Sequence, residues 1–398
     1  MLKVFLAALI LALPVFGALY DTDIHPLPEA PALPEAGKTY VDPVFKTLIM
    51  RVTDESDGKN NQNAYSYWPS FNKDCSYFHI TTSKIGPVLY SFDPAGFKLL
   101  SKEKLFAAKT PGGKLPNWED SSWSGKDPDL LICCEGPRLW NYNVKTRAYT
   151  LLKDFSEMLP GEKPWQLSRS MDDEVFGFTR KDLIKNGIKG YAAWKRSTDS
   201  LLVNNDETEL DEVQIDKSGR YLVVKSDKQG RGVINVHIID LQSSSVSGLL
   251  DDGPDFSPGH SDNGTGCLVG DDNYLNRFLF RKLASPHSFT AVLERKNDWS
   301  QGAHLSFLAD DESMILVSNF TANNLPCSGF FKDEIFLLAT DGSGRVKRIC
   351  HHRSDYLKTK EYWDSPRANI SRDGKFVLYT SNWGASGRRD VFIAKVPD

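Results

Sequence analysis

His260 and His304 are the side chains in this 398-residue chain best suited to proton transfer or metal binding. An imidazole titrates near neutrality, and its neutral form is both a base and a ligand. His351 and His352 supply a further ring, and three converging imidazoles would suit a divalent cation, the expected set being His260, His304 and His352. Arg367 and Arg169 each offer a planar fork that can hold a carboxylate through two parallel hydrogen bonds. Asp120 and Glu212 would serve as a glycosidase pair at the right separation, and otherwise as solvated channel acids. Trp68, Trp118, Trp165, Trp299 and Trp383 could stack on sugar faces or simply fill core. Each of these residues also has a plainer reading: a hydrogen-bonded structural histidine, or a salt bridge from Arg367 to Asp120 or Glu212. No Walker A loop, His-Glu-x-x-His, Cys-x-x-Cys or Gly-x-Ser-x-Gly occurs, so nucleotide hydrolysis, zincin proteolysis and α/β-hydrolase chemistry have no support. The Asp54–Gly58 cluster lacks a full calcium-loop pattern and reads as a turn.

Position decides among these readings, and a repeat sets the positions. The stretch from Ser365 to Trp383 reads as strand, turn and strand, with Ser371-Arg-Asp-Gly374 as the turn and Phe376–Thr380 as a buried strand. Aligned on that turn, six earlier copies place Trp68, Asp120, Gln166, Glu212, Pro258 and His304 where Arg367 stands, at a period near 46 residues with a longer first and last interval. Two residues on, a second row holds Ser70, Ser122, Ser168, Gln214, His260, Ser306 and Asn369. Side chains two apart on a strand share a face, so both rows face one way while Leu167, Val213, Leu305 and Ala368 face a core. Seven strand-rich copies with little helical periodicity predict an all-β chain, a seven-bladed β-propeller. Phe45–Thr53 has no partner within its own copy and fits the outer strand missing from the last one, which would close the ring and remove two sheet edges.

The formal charge of −4 argues against a nucleic-acid surface as the main business. Residues 1–17 read as a signal peptide: Lys3, an apolar run from Val4 to Phe16 too short to span a bilayer, and a small-residue cleavage site near Gly17. The expectation is therefore a secreted chain, extracellular or periplasmic in a bacterium, with no stable membrane anchor. Residues 18–40 form a Pro-rich lead-in and 41–398 a single propeller domain, expected to be a monomer. A secreted chain permits disulfides, with Cys327–Cys350 the preferred pair, while Cys75, Cys133, Cys134 and Cys267 include small buried residues. Of the sequons at Asn263, Asn319 and Asn369, the first two are the expected accessible ones.

The turns Ser371-Arg-Asp-Gly374 and, more loosely, Asp216-Lys-Ser-Gly219 resemble the Ser-Pro-Asp-Gly turn of TolB-like, WD40-like propellers. The chain further resembles secreted microbial propellers of the oligogalacturonate lyase type over about residues 40–396. Trp123–Pro137, Gly259–Asp262, Ala303–Ser306, His351–Ser354 and Pro366–Gly374 carry that resemblance. It implies β-elimination on an acidic, uronate-containing oligosaccharide or polysaccharide at the funnel mouth, with a divalent metal, Mn or Ca. His260 would be the base, Arg367 the carboxylate clamp and His304 or Tyr362 the proton donor. Arg169, Trp68, Gln166, Glu212 and Asn369 would contact the sugar. Two family elements differ here: Cys134 stands where the family has a histidine before Glu135-Gly-Pro137, and Ser365-Pro366-Arg367 stands for its metal-binding His-Pro-His. The other reading is a non-catalytic propeller that binds glycan or protein. Whether His260, His304 and Arg367 can reach one sugar ring separates the two.

Overall fold

A computed structural model describes residues 17–228, 230–250, 259–272, 274–296 and 298–398, with the side chains of residues 117–120 left out. The expected signal peptide thus lies outside the described residues, apart from Gly17. Seven antiparallel sheets follow one another along the chain. Their innermost strands are Asn117–Trp123, Glu162–Arg169, Leu210–Ile215, Ser261–Asn263, Gln301–Ser306 and Asn369–Ile370 in blades two to seven. Blade one differs. It has three named strands, and its inner segment pairs with the sheet through the isolated bridges Gln62↔Thr81 and Phe71↔Phe78 in place of a continuous ladder. Between successive blades lie apolar clusters, such as Leu167, Phe176, Phe178 and Trp194 with Ile132 of the preceding blade. The alternation of the inner strands explains them: Leu167, Val213, Leu305 and Ala368 are buried in these layers while their neighbours turn to the axis.

Blade seven joins the two ends of the ring. Asp390–Lys395 pairs with Phe376–Ser381 on one side and with Leu48–Arg51 on the other, and Thr39–Val41 adds a fifth strand outside. The turn before its second strand is built as its residues dictate. Ser371 Oγ accepts from Phe376 N at 3.0 Å, and Gly374 takes the positive φ of 71° that a side chain would resist.

Hydrogen bonds between blades fix the register of the inner strands. Ile215 N donates to Ser168 Oγ at 2.9 Å, Phe307 N to Asp262 at 2.6 Å and Ile370 N to Ser306 Oγ at 3.3 Å. Asp262, rather than His260, therefore occupies the second inward row of blade five. His260 belongs to the first row, level with Glu212 and His304. A constant period of about 46 conceals this, because the fourth copy is two residues longer and the fifth two shorter.

The lead-in is a strap along blades six and seven. Arg348 N donates to Leu19 O at 2.9 Å, Arg353 reaches Pro28 O, Trp383 Nε1 donates to Pro31 O at 2.9 Å and Arg51 to Pro34 O at 2.8 Å. None of the six cysteines is joined in a disulfide. Cys350 is buried and Cys327 exposed, so the expected bridge is not formed. The sequon residues Asn263 and Asn319 are buried like Asn369, which removes all three as accessible acceptors in the folded chain. No described helix is long and apolar enough to cross a membrane.

Candidate active site

The irregular inner segment of blade one shapes the axial channel. Instead of a full strand, residues 63–68 turn into the axis, where Trp68 Nε1 donates to Leu167 O of blade three at 3.1 Å. Asn369 holds the segment from blade seven: its Nδ2 donates to Tyr65 O at 2.8 Å, and its Oδ1 accepts from Ser70 and from Asn63. Asn369 is fully buried, so its role is to anchor this plug and not, as expected from sequence, to touch a sugar. Tyr67 and Trp68 border a cavity on each side of the plug. Packing across the axis thus closes the channel into two chambers.

The upper chamber has a volume of about 390 Å³, and Tyr65, Trp165, Asp211, Lys225, His260 and Tyr362 line it. His260 Nδ1 lies 2.7 Å from Ala303 O. A carbonyl only accepts, so Nδ1 carries the proton and Nε2 is the bare nitrogen of an exposed ring edge. Surrounding protein mass, then the nearby Lys225 and Arg367 charges, hold its pKa below that of a free imidazole; water on the open edge moderates the effect. His304 packs beside it, ring centroids 4.4 Å apart, and is sandwiched by Phe320 at 5.3 Å with Tyr65 edge-on. It is 3% exposed, its Nδ1 has no hydrogen-bond partner, and burial drives its pKa well down.

Arg367 lies behind the cavity wall, 2% exposed. Its guanidinium donates to the carbonyls of Tyr362 and Ser365 and faces the rings of Tyr362 at 4.0 Å, Trp363 at 4.5 Å and Tyr65 at 5.3 Å. Described contacts give it no carboxylate, and Glu212 pairs instead with Lys225 and accepts from Gln214 at 3.1 Å. Sequence suggested a direct carboxylate clamp. The structure makes Arg367 the support of the Tyr362–Trp363 wall, because its two terminal nitrogens are turned to the Ser365 and Tyr362 carbonyls and aromatic rings pack on its plane. Asp120 and Trp118 belong to the residues whose side chains are not described.

Two bulges set the rim. The register shifts between Trp165 and Ser168, where Gln166 takes a φ of 53°, and again between Leu210 and Glu212. Gln166 accepts from Thr179 Oγ1 at 2.9 Å and remains on the cavity wall. Asp211 faces the cavity with its surface largely open. Protein mass and the Glu212 charge push its pKa up to about 6, and its water-facing side moderates that rise.

Two expected site residues lie elsewhere. Arg169 borders the lower chamber, of about 80 Å³, where it pairs with Asp173 at 2.9 Å; it sits on the far side of the plug from His260. His352 is buried with both ring nitrogens engaged: Nε2 meets Asn319 O at 2.8 Å, and Nδ1 accepts from Ser354 N at 2.9 Å. It cannot join His260 and His304 as a ligand. Among the described residues no group of three His, Cys, Asp or Glu is placed to hold a metal ion. With one imidazole turned to a carbonyl and the other two hemmed in, the expected metal set does not fit.

No protein-family model matches the sequence, and no curated protein of similar sequence does. Solved structures match over nearly the whole chain. Oligogalacturonate lyase from Vibrio parahaemolyticus aligns with a TM-score of 0.66 at 13% identity, covering 93% of this chain and 99% of that one. An oligogalacturonate lyase in complex with manganese gives 0.66 at 12% identity, covering 94% and 99%. The RRP9 WD40 repeats give 0.51 at 10%, covering 90% and 100%. The likeness is one of fold. At such identities it carries the seven-bladed architecture, and the side chains at the mouth must be read on their own.

Sequence reasoning did not single out Tyr65, Tyr67, Asp211, Lys225 or Trp363. The run Tyr65-Ser-Tyr-Trp68 was a visible aromatic signal. Lys225 gave none, since it comes from the second strand of blade four and reaches the axis only through its pair with Glu212.

Proposed function

We propose that this protein acts on an acidic oligosaccharide in the upper chamber by β-elimination, without a metal bound by the residues described. His260 carries this reading: its protonated Nδ1 is fixed by Ala303 O, which leaves Nε2 as a neutral base at the cavity surface. Tyr362 lines the same cavity, 59% exposed, on a single 3₁₀ turn held by Arg367. In the reaction, His260 Nε2 removes the proton at C5 of a uronate ring. Those electrons form the C4–C5 double bond, the C4–O4 bond breaks, and the Tyr362 hydroxyl gives its proton to O4. The Arg367 charge behind the cavity wall favours the carboxylate and the negative charge that develops on it, while Lys225 is held in its pair with Glu212. Trp165 and Trp363 offer faces for the sugar. An extracellular glycan is the source that the N-terminal sequence favours.

The test is the ultraviolet absorbance of an unsaturated uronate, followed on a panel of uronate oligosaccharides with and without Mn²⁺ or Ca²⁺. His260→Gln should lower the rate by about 10²-fold or more. Product formation only with added metal would contradict the metal-free reading. The burial of His304 and Arg367, two of the four expected catalytic residues, favours a second reading of glycan binding without cleavage. Saturable binding by calorimetry with no absorbance change would select it.

A further inference from the structure

Resting on the proposed function, we infer that the binding site extends beyond the upper chamber into a second saccharide subsite over blades four to six, one that takes a neutral, hydroxyl-bearing sugar ring. A groove of about 480 Å³ adjoins the chamber and shares Asp211, Lys225, Gly259 and His260 with it. His260 therefore stands at the junction of two spaces rather than at the end of one. Trp299, 41% exposed, forms the far wall and presents an aromatic surface of the kind that packs on a sugar face. Gly302, on the inner strand of blade six, keeps the floor low; a Cβ there would meet the Phe320 ring at 2.7 Å.

The charges of the groove decide the ligand class. Its cations are already neutralised: Arg295 is paired with Asp271, both buried, and Lys225 with Glu212. What remains toward the open space is the Asp211 carboxylate, since the Ser226 hydroxyl donates to Glu209 O and the Gln301 amide to Asp298 and Phe330 O. A second uronate would meet Asp211 without a free cation to offset it, and like charges repel. A neutral ring instead offers hydroxyl donors to the Asp211 carboxylate, which is a charge-assisted hydrogen bond. The preferred substrate is accordingly a chain in which a neutral sugar adjoins the uronate, gripped on both sides of His260.

Calorimetry with the full-length protein tests this, comparing a uronate disaccharide, a uronate trisaccharide and a trisaccharide of one uronate and neutral hexoses. The mixed trisaccharide should bind about tenfold more tightly than the disaccharide, and Trp299→Ala should remove that gain while leaving disaccharide affinity unchanged. Asp211→Asn, which keeps the shape, should narrow the preference for the mixed over the all-uronate trisaccharide. Wild-type protein that binds the disaccharide and gains nothing from a further neutral sugar would overturn the subsite and leave the proposed function standing. Protein that binds no saccharide would overturn both.

Discussion

His79 lies in Tyr77–Thr82, the innermost named strand of blade one, with both ring nitrogens buried and unpartnered, its ring centroid 5.9 Å from that of Trp123. Desolvation pushes its pKa down to about 4 from an ordinary 6.5. Between these values the unfolded chain binds a proton that the folded chain refuses, so stability falls as pH drops through this window, by up to about 3 kcal/mol for one such ring. Urea denaturation from pH 7 to pH 4 should show a shallower acid loss in His79→Leu than in wild type; parallel curves would exclude the imidazole as the cause. Asp262 works in the opposite sense. Burial pushes its pKa up to about 7, so between its ordinary value of 3.8 and that pH the fold holds the extra proton, and this contribution falls as pH rises. At the mouth, the Arg367 charge disfavours imidazolium at both His260 and His304. Arg367→Met removes the charge and keeps the bulk. The His260 pKa should then rise, moving the acid limb of any kcat/KM profile, and the ring's NMR titration, to higher pH. An unmoved titration would mean that the guanidinium is screened from the ring.

The plug is the element that turns an axial channel into a site. Its position depends on few bonds, because residues 63–68 lie outside the ladder that holds an ordinary inner strand. Asn369 satisfies Tyr65 O and receives Ser70 and Asn63, so Asn369→Ala leaves buried polar groups without partners. The expected cost is about 1–3 kcal/mol, together with faster amide hydrogen exchange confined to residues 63–70. Faster exchange spread over all blades would point to general loosening instead. The Tyr362–Trp363 turn depends in the same way on Arg389–Asp364 at 2.9 Å and on Asn382 Nδ2 to Asp364 at 2.9 Å.

Over the whole molecule, ring closure and the lead-in strap share blades six and seven. Arg348, fully buried, pairs with Glu334, reaches Asp21 at 3.2 Å and donates to Asp23 O, so one side chain ties the strap to blade six. Arg348→Ala strands the Glu334 carboxylate in the interior and should cost about 3–5 kcal/mol in denaturation. Limited proteolysis should cut the variant within residues 18–38 before any blade. A variant as stable and as resistant as wild type would show that the strap is dispensable.

Much of this architecture is legible in the chain because it is local and repeated. A polar turn before a β-branched run, recurring near 46 residues, specifies strand pairs, and seven of them can bury their faces only against one another. The inward rows were legible too, since side-chain direction on a strand follows from a period of two. Non-local contacts decided the rest. The two-residue shift that lifts His260 level with His304 shows only in hydrogen bonds between blades. Asn369 matches an inward row as well as His260 does and Arg169 flanks one, yet Asn369 is absorbed in holding the plug and Arg169 falls beyond it. The pairing of Cys327 with Cys350 failed for a similar reason: the chain brackets an insertion with them, but folding buries one and exposes the other. Sequence by itself determined the propeller and the kinds of side chain that line its axis. Only the tertiary structure decided which of them meet at one cavity, because residues tens to hundreds of positions apart become neighbours only when the ring closes and blade one turns its inner segment across the channel.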